Sequence, residues 1–344
     1  MNDRFNRRQF LKKMAIAGVG GTVIGGGLFY WRNRLGKVLP PEAHARVTIL
    51  KAASYRANLV DLIRRGLSNY PAFLERVRGS RIVLKPNLVE YYEARRVNTH
   101  PAVVAAAIAV FRSFGAREIV VAEGPGHQRD TELLVEESGL WEALKSEQTP
   151  FVDLNHDSIR PVRLSANYTQ LNRLFFPVTI LGADLIVSMP KLKTHHWAGV
   201  TLSLKNMFGT VPGVKYGWPK NLLHWRGIDR SIVDINLALR PAFAIIDGIE
   251  GMEGDGPLRG ETVQSGVLIM GDNPTAVDAT GTRVMGLNPE RILYLQVMRA
   301  HGGVLGETHI EQAGERVATV RHDFQVLPNF SCLKLGSPER KLLQ

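Results

Sequence analysis

One cysteine, Cys332, is all that 344 residues supply. Its isolation excludes internal disulfides, thiolate zinc sites and a self-contained iron–sulfur cluster, so a divalent metal would have to be held by histidine and carboxylate. Cys332 itself, close to the C-terminus, reads as a tail residue with no special role. The chain also lacks a phosphate loop ending in Gly-Lys-Ser/Thr, a His-Glu-x-x-His helix and a Gly-x-Ser-x-Gly nucleophile elbow. Ser188 and Ser203 therefore have no particular claim as nucleophiles. No internal repeat or low-complexity tract is present. A basic surface is lacking as well, although the formal charge is +11. Residues 1–37 carry eight Lys and Arg against Asp3, a surplus of +7, which leaves +4 for the rest. That is an ordinary surface, and nucleic acid is not an expected partner.

What is present begins at the N-terminus. Arg7-Arg8 precede Phe10, Leu11 and Lys12, and an uncharged, glycine-rich run follows over residues 14–31. This order matches a twin-arginine export address, a signal read by the twin-arginine machinery that carries folded proteins across a membrane. Residues 1–37 are expected to be that signal or an N-terminal membrane anchor, because 18 uncharged residues are close to the shortest span of a bilayer. Residues 38–45 would be a linker, 46–330 a single α/β domain and 331–344 a C-terminal tail. The expected location is the periplasm or the outer face of the cytoplasmic membrane.

Behind that segment, short β-branched apolar runs alternate with stretches of helical period. Residues 47–53, 81–84, 118–122, 184–188, 243–246 and 266–270 predict buried strands. Residues 58–67, 102–114, 132–138, 229–239 and 275–285 predict helices. Alternation of this kind implies an α/β fold, a mostly parallel sheet with helices on both faces. Residues 151–177 are less regular and predict a small subdomain or an antiparallel edge.

Polar chemistry concentrates where the predicted strands end, the position at which open α/β sheets bind ligands. Lys85-Pro86-Asn87 follows one strand, Glu123-Gly124-Pro125-Gly126 another, and Met189 to His196 a third. Asp247 to Pro257, a glycine-broken acidic loop, follows a fourth, and Gly271 to Pro274 a fifth. Five such loops suggest one shared site.

Several of these segments together resemble a family. Lys85-Pro86-Asn87, Thr99-His100-Pro101, Pro190-Lys191-Leu192-Lys193-Thr194-His195, Ser203-Leu204-Lys205-Asn206 with Phe208-Gly209, and Asp247-Gly248 followed by Gly254-Asp255-Gly256-Pro257 are similar to the signature of the domain-of-unknown-function family numbered 362. The resemblance covers residues 82–286 and implies no assigned activity. Many members carry a cysteine-rich ferredoxin-type segment; this chain does not, so an iron–sulfur cluster does not carry over.

The residues themselves suggest roles. Lys85, Lys191, Lys193 and Lys205 would bring positive charge to the strand ends and suit a phosphate or carboxylate. Asn87, Glu123 and Asn206 are expected beside them. Thr99, able to cap a helix opened by His100-Pro101, would add a helix N-terminus to the anion site. For proton transfer the candidates are His195 and the acidic loop, Asp247 first, with Lys193 and Lys205 polarising a substrate. His195, His224, Glu253 and Asp255 form a candidate set for a divalent metal. The expected function is binding of a small anionic molecule, with or without that metal. The alternative is a non-catalytic accessory or electron-transfer partner that docks a separate iron–sulfur redox protein.

Overall fold

The protein is described by a computed structural model over residues 43–92, 97–126 and 130–338. The twin-arginine pair and the apolar run lie outside the described residues. The segment Glu42–Ser337 forms one unit. No helix among the described residues is long and apolar enough to cross a membrane.

Among the described residues, ten of the twelve strands belong to one sheet. They are β1 (Ala45–Lys51), β2 (Arg81–Pro86), β3 (Glu118–Glu123), β4 (Phe151–Asp153), β7 (Leu185–Met189), β8 (Lys191–His195), β9 (Gly199–Thr201), β10 (Phe243–Glu253), β11 (Glu261–Gly271) and β12 (Ile310–Gly314). The order across the sheet is β12-β1-β11-β10-β7-β2-β3-β4. Strands β10, β7, β2, β3 and β4 run parallel, while β11 is antiparallel to both of its neighbours. The irregular middle is a two-stranded antiparallel sheet of β5 (Ile159–Arg163) and β6 (Arg173–Pro177), which follows the short edge strand β4 in the chain.

Strand periodicity explains the layers, because alternate residues face opposite sides. Ile82, Leu84, Val187, Phe243, Ile245, Leu268 and Met270 join one apolar cluster with Ile63 and Leu67 of the helix Leu59–Leu67 and with Val103, Val104, Ile108 and Phe111 of the helix Pro101–Ser113. Side chains of the other register, such as Ile246, turn to the opposite face, where Ile246 lies against Gly281 of the helix Pro274–Val284. Each wholly buried Val, Ile, Leu or Phe contributes roughly 1.5–3 kcal/mol, so both faces are held. Helix starts are set locally: Asn58 caps Asp61, Asp130 caps Glu132 and Leu133, and Asn273 caps Ala276 ahead of Pro274.

Two regions read as loops are strands instead. Met189 ends β7 and, after one interruption at Pro190, residues 191–195 continue as β8, while residues 247–253 are the second half of β10. The two lie side by side, Asp247 opposite Lys191 and Met252 opposite Lys193. The chain leaving β7 thus changes its neighbour: β7 lies between β2 and β10, whereas β8 stays with β10 and departs from β2. A cleft opens there. It is also a topological switch point, since the chain runs from β2 outward to β3 and β4 and then returns to β7 on the other side of β2.

Candidate functional site

A cavity of about 280 Å³ occupies this cleft, lined by the ends of β2 and β3 and the residues after them, by β8, the turn after it and Thr201, by residues of the segment 205–224, and by Pro257 and Leu258. Its floor is a buried ion pair. Lys85, the penultimate residue of β2, gives its ammonium to Glu123 at the end of β3, to the Pro86 carbonyl at 3.0 Å and to Asn206 Oδ1 at 3.1 Å. Glu123 also accepts from the backbone N–H groups of Leu88 (3.2 Å) and Gly124 (2.9 Å). Burial pulls the Lys85 pKa down, and Glu123 opposes the shift. Gly209 closes over the pair: a Cβ there would stand 1.9 Å from Glu123 Oε1 and 2.6 Å from Lys85 Nζ.

Asn206 knits the floor together. Its Oδ1 accepts from Lys85 and from Asn87 Nδ2 (3.1 Å), and its Nδ2 donates to the Lys85 carbonyl (3.0 Å) and to Ser188 Oγ (3.1 Å). The amide's two donors and its acceptor oxygen are thereby engaged. The short helix Ser203–Asn206, which carries Lys205, is fixed by Asp278: its carboxylate accepts from Ser203 N (2.7 Å) and Leu204 N (2.9 Å). Burial raises the Asp278 pKa to about 7. Sequence reasoning missed Asp278, which lies 75 residues from Ser203.

An ammonium has three donors, and that count separates the cavity's lysines. Lys85 meets three acceptors. Lys220 does too, donating to the carbonyls of Gly124 (2.6 Å), Phe208 (3.3 Å) and Gly209 (3.3 Å); burial lowers its pKa to about 7. It holds two wall segments together, and nothing in its local sequence announced it. Lys193 is wholly buried with two acceptors, Val97 O at 2.9 Å and Pro257 O at 3.4 Å. Burial, then the charges of Lys205 and Lys191, hold it well below the ordinary lysine range. Lys205 makes no hydrogen bond or ion pair among the described residues, and its Nζ sits 4.4 Å from the centroid of the Phe208 ring. Burial and then Lys85 lower its pKa to about 8, against the pull of Glu123.

Histidines complete the wall. His195 Nδ1 accepts from the backbone N–H groups of Trp197 (3.0 Å) and Ala198 (3.2 Å), which places the neutral ring's proton on Nε2. Burial, then Lys205, push its pKa well below the usual range, so the ring is neutral. His224 donates from Nδ1 to the Lys220 carbonyl at 3.1 Å, and burial lowers it to about 4. Its ring stands 5.0 Å from those of both Trp197 and Phe208. Two buried polar atoms of cavity-lining side chains have no partner among the described residues, Asn87 Oδ1 and Thr201 Oγ1. Thr201 too was missed; in the sequence it is one threonine in an apolar stretch.

Of the residues expected at one site, the fold brings Lys85, Asn87, Glu123, Lys193, His195, Lys205, Asn206 and His224 to the cavity. Lys191, Asp247, Thr99 and His100 do not line it. Lys191 and Asp247 are paired at 2.9 Å, both wholly buried, and Tyr55 O–H donates to Asp247 Oδ1 at 3.0 Å. The His100 backbone N–H donates to Asp247 Oδ2 at 2.9 Å, and the His100 ring stacks on Tyr55 at 3.7 Å. Asp247 is thus engaged on both oxygens in a second buried cluster, away from the place expected for a proton carrier. The helix Pro101–Ser113 is capped by His100, not Thr99; the Thr99 hydroxyl instead accepts from Asn87 N (2.9 Å) and donates to Met189 O (2.6 Å).

The metal set is not assembled either. Among the described residues no group of three or more His, Cys, Asp or Glu is placed to hold a metal ion. An extended strand advances about 3.3 Å per residue, so the second half of β10 carries Glu253 away from the cavity, where it accepts from Gln325 N at 2.8 Å. Asp255 lies 3.8 Å from His196, and neither acid lines the cavity. His195 and His224 remain as a pair.

The lactate racemase apoprotein from Thermoanaerobacterium thermosaccharolyticum matches 61% of this chain and 52% of its own length, at 15% identity and a TM-score of 0.37. A protein from Thermotoga maritima matches 56% of this chain and 50% of its own, at 12% identity and a TM-score of 0.30. The chain spans about half the length of these structures, and similarity at this level says nothing of activity. A thylakoid-associated protein of Synechocystis sp. is 29% identical over 259 residues, which are 72% of this chain and 76% of that protein. The family model described as Domain of unknown function (DUF362) matches residues 82–283, the stretch that runs from β2 to the helix Pro274–Val284 and holds the cavity. The chain therefore belongs to the DUF362 family.

Proposed function

We propose that the cavity binds a small anionic molecule, and that the protein performs this at or beyond a membrane. The observation that carries the first part is Lys205: an ammonium in a cavity wall with no hydrogen-bond acceptor among the described residues. The cavity's one carboxylate, Glu123, is already engaged by Lys85 and does not reach the Lys205 ammonium by a hydrogen bond. An anion at Lys205 would gain charge-assisted hydrogen bonds, and the Phe208 face supports the cation by roughly 0.5–2 kcal/mol. Thr201 Oγ1 can donate to the same ligand, while Asn87 Oδ1 calls for a donor on it. A ligand with an acid group and a small polar body fits about 280 Å³.

Sulfate tests the reading, because its charge is constant across neutral and alkaline pH. Added sulfate should raise the melting temperature of the wild type and leave that of Lys205→Met unchanged. Equal stabilisation of both proteins would refute it. For location, the support is the twin-arginine pattern of residues 1–37 and the thylakoid association named for the Synechocystis relative. A double Arg7→Lys, Arg8→Lys variant should stay in the cytoplasm of cells that export the wild type; unchanged fractionation would count against export.

A further inference from the structure

Lys193 is situated unlike the other lysines of the cavity. Its amine is wholly buried, meets two backbone carbonyls, and has no carboxylate partner among the described residues. Two acceptors match the two N–H bonds of a neutral amine and leave its lone pair unengaged; an ammonium would present a third N–H. Burial and the neighbouring positive charges favour the neutral form. A desolvated amine next to other cations is a nucleophile toward carbonyl carbon. Lys205 differs, since its ammonium lies over an aromatic face that favours charge.

The same strand supplies a proton donor. His195 is two residues beyond Lys193 on β8, which places both side chains on one face. Its Nδ1 is occupied by two backbone donors, so Nε2–H is the group left for a ligand. Asn87 Oδ1, buried and without a partner among the described residues, is an acceptor in the same cavity.

We propose that Lys193 captures the carbonyl group of a small oxo acid whose acid group is held by Lys205, a step that rests on the anion-binding reading of the cavity. The Nζ lone pair forms the C–N bond as the carbonyl π pair moves onto oxygen, which His195 Nε2–H polarises. Transfer of one amine proton to that oxygen gives a carbinolamine, whose hydroxyl meets Asn87 Oδ1. Loss of the hydroxyl with the second amine proton releases water and leaves an imine, so atoms and charge balance with no further reactant. Such an imine serves as an electron sink for reactions at the adjacent carbon.

Pyruvate and sodium cyanoborohydride test it on the full chain. Reductive trapping should add one pyruvate-derived group per chain, and peptide mapping should find it on Lys193. Excess sulfate should suppress that adduct while labelling of surface lysines continues. Lys193→Met should lose it, and Lys205→Met should form it about tenfold more slowly, the scale of one charge-assisted hydrogen bond. Mapping on the wild type decides even where a variant folds poorly. Label confined to surface lysines, with sulfate still binding, would overturn carbonyl capture and leave the anion site standing. Lys193 labelled at an undiminished rate in Lys205→Met and in excess sulfate would uphold the amine chemistry and refute the anion site.

Discussion

The charge on Lys205 sets how anion binding should vary with pH. With its pKa lowered to about 8, Lys205 is about nine-tenths charged at pH 7 and about one-hundredth charged at pH 10. An anion that needs the ammonium must bring the proton back above pH 8. Affinity should then fall about tenfold per pH unit and about a hundredfold by pH 10, close to 2.7 kcal/mol at 1.36 kcal/mol per unit. Binding should take up about half a proton at pH 8 and close to one at pH 9.5. Isothermal titration of sulfate at pH 6.5, 8 and 9.5, each in two buffers of different ionisation enthalpy, measures both quantities. Sulfate does not titrate in this range, so the slope belongs to the protein. An affinity constant from pH 7 to 10, or a slope retained by Lys205→Met, would refute the assignment.

Other outcomes follow from the same geometry. Glu123→Gln leaves Lys85 buried beside a neutral partner and should cost roughly 3–5 kcal/mol by denaturant unfolding, while Lys85→Met with Glu123→Leu should cost much less. Gly209→Ala drives a methyl into that ion pair and should lower stability by roughly 1–3 kcal/mol; a wild-type midpoint would contradict the close approach. Asp247→Asn weakens the cluster with Lys191, Tyr55 and the His100 N–H and should destabilise by a similar 3–5 kcal/mol or so, yet the folded fraction should bind sulfate as before. Lys220 titrates at about 7 in the folded chain against an ordinary 10.5. Between those values the unfolded chain holds a proton that the folded chain has shed, so stability should rise with pH there, and thermal melts of Lys220→Met should show a flatter profile.

Much of this was legible because strand and site share one pattern. The apolar runs that became β2, β3 and β7 are nearly uninterrupted, as strands buried on both faces must be, and the polar residues just beyond them mark the cavity floor. The polarity of Lys191-Leu192-Lys193-Thr194-His195 suggests a loop, yet alternation with period two also describes a strand, here one whose polar side chains are buried. Gly248 and Gly251 lie in the stretch whose glycines suggest a broken loop. At Gly251 a Cβ would meet the Leu192 carbonyl at 2.9 Å and the Phe324 ring at 3.0 Å, so that glycine serves close strand packing. Gly209 was noticed as part of a motif, but its purpose needed Glu123 and Lys85 in space. Thr201, Lys220 and Asp278 act through tertiary contacts that no local period encodes.

Pro190 lets a single strand exchange partners midway, and the consequence is mechanical. Two of the residues assigned to the ligand, Lys193 and His195, are held by a hydrogen-bonded ladder, so little conformational freedom remains to be lost when a guest arrives. Calorimetry should therefore show association without the large entropic penalty typical of sites that assemble from mobile segments, and the empty and occupied forms should superpose closely over β8.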